Sequence, residues 1–233
     1  MKTNSLYHMK KTLIAANWKS NKTKNEARNW IFEVSRQEFP DNLEIVILPP
    51  FTLLDFLDSF IKANNLKFKL GAQDISPFGL GAYTGEVNAS QVKEFASYVL
   101  IGHSERRKNF SESDEQINQK IQQAESLDLI PIVCVSDVSQ LEDLKSEKEM
   151  VIAYEPPGAI STSGPGAKAE DPDSVLEFVR KIKEKNPARV IYGGSVGADN
   201  VKDYTGLDNI EGVLVGGKSL DAESFINLVN NAT

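Results

Sequence analysis

Residues 150–195 read MVIAYEPPGAISTSGPGAKAEDPDSVLEFVRKIKEKNPARVIYGGS. Met150–Tyr154 is a short apolar run of the kind found in a parallel strand buried on both faces. Asp173–Lys185 then repeats Val175, Leu176, Val179 and Ile182 at three- and four-residue spacing, the period of an amphipathic helix. Asp171 and Pro172 supply its start signal. Arg189–Tyr192 is apolar again, so the stretch reads strand, loop, helix, strand.

Working outward, the same alternation covers the chain. Further strand candidates are Thr12–Ala16, Leu43–Leu48, Phe68–Ala72, Tyr98–Ile101, Ile130–Val135 and Gly212–Val215, which makes eight. Helical spacing recurs in Glu26–Glu38 (Ala27, Trp30, Ile31, Val34), and Asp221–Asn230 opens with acidic residues at its positive end. Eight strand–helix units with right-handed crossovers predict an α/β fold, a single (β/α)8 TIM barrel of parallel strands over residues 1–233, with residues 1–10 a flexible extension. Periodicity leaves a doubly wound open sheet standing as the alternative. Pro156–Ala169 is short and flanked by regular elements, so it reads as a functional loop and not a linker.

Composition bounds the function. With 40% hydrophobic and 25% charged residues the 233-residue chain is globular in type, and no apolar run is long enough for a bilayer-spanning helix. Met1–Lys11 lacks the apolar stretch of a signal peptide, and Cys134 is the lone cysteine. Both point to a cytoplasmic protein without disulfides. The formal charge of −7 excludes a phosphate-neutralising nucleic-acid surface. It leaves open a small phosphorylated ligand, which needs only a local set of backbone N–H groups and a lysine.

In a barrel of this kind reactive groups collect where strands end. The ends here carry Asn17-Trp18-Lys19, Gly102-His103-Ser104-Glu105-Arg106-Arg107, Tyr154-Glu155-Pro156-Pro157, Gly193-Gly194-Ser195 and Gly216-Gly217. Taken singly, Lys19 reads as a solvated lysine, His103 as a packing histidine, Glu155 as a loop acid and each glycine pair as a tight turn. Their common placement at one end of five strands favours a shared site.

In order along the chain, these segments together with Gly71-Ala72-Gln73 and Ala82-Tyr83-Thr84-Gly85-Glu86-Val87 resemble the motifs of the triosephosphate isomerases, from about Thr12 to the C-terminus. The resemblance implies interconversion of D-glyceraldehyde 3-phosphate and dihydroxyacetone phosphate through an enediolate, in glycolysis and gluconeogenesis, with no cofactor and no metal. By the family's known template Glu155 is the base and His103 the electrophile, kept neutral at a helix N-terminus. Lys19 and Asn17 stabilise developing charge, with Glu105 a carboxylate near the lysine. Asn17, Lys19, Ser161, Ser195, Gly216 and Gly217 bind substrate and phosphate. Burial is expected to raise the basicity of Glu155. Pro156–Ala169 becomes a lid that protects the intermediate, with Pro156 and Pro157 at its start, and Ile160 and Leu214 form an apolar clamp over the carboxylate. The apolar loop Ser76–Glu86, with Thr84 near its tip, implies a homo-oligomer, dimer or tetramer.

The chain departs from the family pattern in three places. The lid reads Pro156-Pro157-Gly158 and Ser161-Thr162-Ser163 where Pro-Val-Trp or Pro-Ile-Trp and Gly-Thr-Gly are usual. Cys134-Val135-Ser136-Asp137 replaces Cys-Ile-Gly-Glu, and the helix around Ser139–Leu144 must be cut down. The double proline and short middle resemble archaeal members, whereas the N-terminal half looks bacterial. Two rivals remain. An aldolase-like lyase would need a buried lysine inside a strand, and the strand candidates are read as lacking one. A non-catalytic phosphate-binding barrel would tolerate loss of Glu155 or His103.

Overall fold

A computed structural model describes residues 11–142, 144–146, 148–160 and 168–233. The expected N-terminal extension, residues 1–10, lies outside them, as do Ser161–Ser163 and the rest of 161–167. The strands are β1 (Thr12–Asn17), β2 (Leu43–Leu48), β3 (Lys69–Ala72), β4 (Tyr98–Ile101), β5 (Ile130–Val135), β6 (Val151–Tyr154), β7 (Arg189–Tyr192) and β8 (Gly212–Val215). They close into a barrel in sequence order, every neighbouring pair parallel. Closure rests on β1 against β8, with Leu13 opposite Gly212 and Ala16 opposite Val215. The open-sheet alternative is thereby excluded.

Helices α1 (Lys24–Val34), α2 (Leu54–Ala63), α3 (Ala89–Lys93), α4 (Ser104–Phe110), α5 (Asp114–Ser126), α6 (Pro172–Lys185), α7 (Val201–Thr205) and α8 (Ala222–Asn231) surround the strands. Local chemistry starts several of them. Thr23, Asn88 and Ser113 each form a capping box, and Asp171 and Asp221 accept backbone N–H bonds. The first helix stops at Val34, short of the expected Glu38, because Ser35 caps it. After β5 only a 3-10 turn, Val138–Leu141, remains of a helix, as the shortened middle requires.

Strand alternation sorts side chains into two cores. Leu13, Ala15, Val46, Leu48, Leu100, Ile132, Cys134, Ala153, Ile191 and Leu214 fill the barrel. Their neighbours Ile14, Ala16, Ile45, Ile47, Ile101, Val133, Val135, Ile152, Val190 and Val215 pack outward against the helices. The same alternation carries polar residues to the two ends. At the N-terminal end Glu44 accepts bonds from Lys69 Nζ at 2.6 Å, Arg189 Nη1 at 2.8 Å and Tyr98 Oη at 2.9 Å. Lys69 corrects the reading that no strand carries a lysine: it lies in β3, but at the end remote from the strand termini that matter, salt-bridged and half exposed. A Schiff-base role needs a desolvated amine, so the aldolase rival gains nothing from it.

Candidate active site

At the opposite end, β1, β4, β6, β7 and β8 each deliver a residue to one cavity of about 550 Å³. Asn17, Lys19, His103, Glu155, Ile160, Ser195, Leu214, Gly216 and Gly217, all singled out from sequence, line it together. Pro156 is buried and Pro157 exposed beside it, and neither lines it. Ser161 lies outside the described residues. Thr84 is exposed on the 76–86 loop, away from the cavity lining.

His103 follows β4 and caps α4. Its Nδ1 accepts the Glu105 N–H at 3.2 Å, so the ring carries its proton on Nε2. That Nε2 lies 3.0 Å from Glu155 Oε1. Glu155, only 2% exposed, also receives the Ser104 N–H on Oε2 at 2.9 Å. Burial pushes the Glu155 carboxyl up, as expected, but the His103 contact and the Ser104 donors outweigh it. The net direction is down, opposite to the sequence expectation. Beneath it, the fully buried Cys134 thiol is held well above its ordinary range by burial and the Glu155 charge.

Lys19 has φ of 53°, in the left-handed region a lysine rarely enters. Three bonds hold it there. Its N–H donates to Asn17 Oδ1 at 3.0 Å, Gln73 Nε2 donates to its carbonyl at 2.9 Å, and its Nζ meets Glu105 Oε1 at 2.6 Å. Gly216 leaves it room, since a Cβ there would stand 3.2 Å from Lys19 Cε. Gly193 does the same for the carboxylate: its Cβ would stand 3.0 Å from Glu155 Cγ. Ser195 differs from expectation. Its N–H and hydroxyl both donate to the Ala159 carbonyl, at 2.7 and 2.8 Å, so the start of the loop after β6 occupies a donor assigned to phosphate.

Sequence reasoning gave no role to several residues that shape the site. Gln73 and Ser104 sat inside quoted motifs but act through an amide and a backbone N–H, which residue type alone does not advertise. Tyr192 and Tyr204 stack with ring centroids 4.0 Å apart and grip one peptide. The Glu170 N–H donates to Tyr192 Oη at 3.0 Å, and Tyr204 Oη donates to the Glu170 carbonyl at 2.6 Å. Asp199, Asn200 and Lys218 extend the cavity lining. Among the described residues no cluster of His, Cys, Asp and Glu is arranged to hold a metal, and no helix is long and apolar enough to cross a membrane.

An imidazole N–H and a carboxylate facing one cavity, with an ammonium and glycine-rich turns on its wall, suit proton transfer on a small anionic substrate. The comparisons with known proteins agree. The triosephosphate isomerase of Alkaliphilus metalliredigens is 39% identical over 250 residues, covering 95% of this chain and 100% of its own length. That of Trichodesmium erythraeum is 37% identical over 242 residues, covering 95% and 99%. That of Dictyoglomus thermophilum is 39% identical over 252 residues, covering 96% and 100%. These matches do not bear out the archaeal likeness of the lid, whose centre lies outside the described residues. The family model for triosephosphate isomerase matches residues 12–232, and the chain belongs to the triosephosphate isomerase family.

Proposed function

We propose that Glu155 and His103 carry the proton transfers of this family's reaction, the interconversion of D-glyceraldehyde 3-phosphate and dihydroxyacetone phosphate. The observation that carries the assignment is the 3.0 Å contact between His103 Nε2 and Glu155 Oε1 at the cavity wall. A substrate carbonyl entering there takes over the Nε2–H bond from the carboxylate. Glu155 then loses one of the contacts that depress its basicity while keeping its burial, and becomes a stronger base as substrate arrives. It removes a proton from the carbon beside the carbonyl. The released electron pair forms the enediolate double bond, whose oxygen is stabilised by His103 Nε2–H. His103 Nε2–H gives its proton to that oxygen and takes back the proton of the neighbouring hydroxyl, whose oxygen becomes the new carbonyl. The protonated Glu155 returns its proton to the former carbonyl carbon, so the steps balance without an oxidant or reductant.

Lys19 supplies positive charge to the substrate, Asn17 fixes the lysine backbone through its N–H, and Glu105 orients the ammonium. The N–H groups of Gly216 and Gly217 face phosphate, and Ser195 joins them once its bonds to Ala159 are released. Ile160 and Leu214, 9% and 3% exposed, keep water from the carboxylate. Pro156 and Pro157 stiffen the start of the lid.

A homo-oligomer is part of the same reading. Phe78 and Tyr83 stack at 4.4 Å on the 76–86 loop while remaining exposed, and Leu80 is 80% exposed. Such an apolar tip favours a second copy of the chain. A cytoplasmic location fits the lone, buried Cys134.

The test is conversion of glyceraldehyde 3-phosphate by purified protein without added cofactor or metal, beside Glu155→Asp. The shorter acid keeps the charge and moves it, so activity falls by about two to three orders of magnitude if Glu155 is the base. Activity indifferent to the change removes Glu155 from the mechanism.

A further inference from the structure

The charges at the cavity do not favour its ligand. The lining contains two cations, Lys19 and Lys218, and two anions, Glu155 and Asp199. Lys19 is already neutralised by Glu105 at 2.6 Å, so the lining carries a net negative charge toward a phosphate ester that Lys218 reduces and its loss would deepen. The whole chain, at −7, adds to the opposition.

Lys218 differs from Lys19 in being uncommitted. It is exposed, and among the described residues no carboxylate or hydrogen-bond acceptor pairs with its ammonium. It follows Gly216 and Gly217 directly, within the 3-10 turn Gly217–Ser219. That turn is fastened from below. Ser219, fully buried, donates its N–H and hydroxyl to the Gly216 carbonyl at 2.8 and 2.7 Å, and its own carbonyl accepts from Trp30 Nε1 at 3.0 Å. The Lys218 stem leaves a fixed base toward the β7–α7 loop, its Cε 3.8 Å from where a Gly197 Cβ would stand.

We propose that Lys218 is a second cation for the phosphate of the substrate, a binding determinant that offsets the neutralisation of Lys19 by Glu105. The proposal rests on the phosphate end of the cavity assigned above. Lys218 acts on capture of the dianion and not on the carbon proton, so it weighs on KM more than on kcat.

The experiment compares wild type with Lys218→Ala, Lys218→Arg and Lys62→Ala. Lys62, on α2 and 67% exposed in its side chain, removes the same unit of charge away from the cavity lining. Inorganic phosphate is titrated by calorimetry, and kinetics with glyceraldehyde 3-phosphate are followed against ionic strength. For Lys218→Ala we expect phosphate affinity about tenfold weaker, KM raised about fivefold with a smaller change in kcat, and a flatter salt dependence of kcat/KM. Lys218→Arg restores most of the loss, and Lys62→Ala stays within about twofold of wild type. Phosphate affinity and KM unchanged in Lys218→Ala, or matched by Lys62→Ala, overturn the proposal. If the wild type turns over no triose phosphate, the isomerase reading falls while the calorimetry still decides the role of Lys218.

Discussion

Each end of the barrel holds a carboxylate among donors. At the N-terminal end Glu44 accepts from Lys69, Arg189 and Tyr98, and Arg189 also donates to the Lys11 carbonyl. Burial raises the Glu44 carboxyl, but these donors win and hold it at about 2. At the C-terminal end Glu155 has the His103 ring and one backbone N–H, beside a cavity of about 550 Å³. The first carboxylate faces two full cations whose bonds stay within the protein. The second faces a neutral-tautomer ring whose N–H an incoming oxygen can take. A carboxylate held by two cations of the protein ties strands together, whereas one held by a ring N–H beside open space has a contact that a ligand can replace.

The contrast breaks most sharply under exchange of the two acids' roles. Glu155→Asp should remove about two to three orders of magnitude of kcat/KM while leaving the unfolding free energy within about 1 kcal/mol. Glu44→Gln should do the reverse. It leaves Arg189 without its anion, so urea unfolding loses about 3 kcal/mol and kcat stays within about threefold. If Glu44→Gln costs activity as heavily as Glu155→Asp, the division of labour between the ends is wrong.

The pH dependence sharpens the same point. The folded pKa of Glu44 lies below its ordinary value of 4.5, so its stabilising effect is present above 4.5 and is lost as pH falls toward about 2. Urea unfolding at stepped pH should show wild type and Glu44→Gln converging across that window. Parallel curves would mean that the cluster is not the source. The smallest effect is expected from Gly193→Ala, whose Cβ stands 3.0 Å from Glu155 Cγ and 3.2 Å from the Tyr154 carbonyl. Displacing the carboxylate by a few tenths of an ångström should lower kcat about three- to tenfold with little change in KM.

Much of this was legible in the residues. All eight strands lie where the apolar runs predict, with shifts of a single residue at Asn17, Lys69 and Val151. Alternation along each run is local information, so it survives without a fold around it. The candidates Asn17, Lys19, His103, Glu155, Ser195, Gly216 and Gly217 were legible because their strands all end on one face. The direction of the Glu155 shift was not. It depends first on the His103 ring meeting Oε1 at 3.0 Å and then on the Ser104 N–H, 51 positions away, meeting Oε2 at 2.9 Å.

The sequence by itself determined the alternation of strands and helices, the caps that start the helices, and the set of reactive side chains at the strand ends. Tertiary structure decided that the sheet closes, through Leu13 against Gly212, and that Glu105 pairs with Lys19 while Lys218 has no carboxylate partner among the described residues. It also decided that Ser195 holds the Ala159 carbonyl. The physical reason is range. Periodicity and capping act over a few residues, whereas closure, ion pairing and the competition for donors depend on distances between groups that the chain brings together only when it folds.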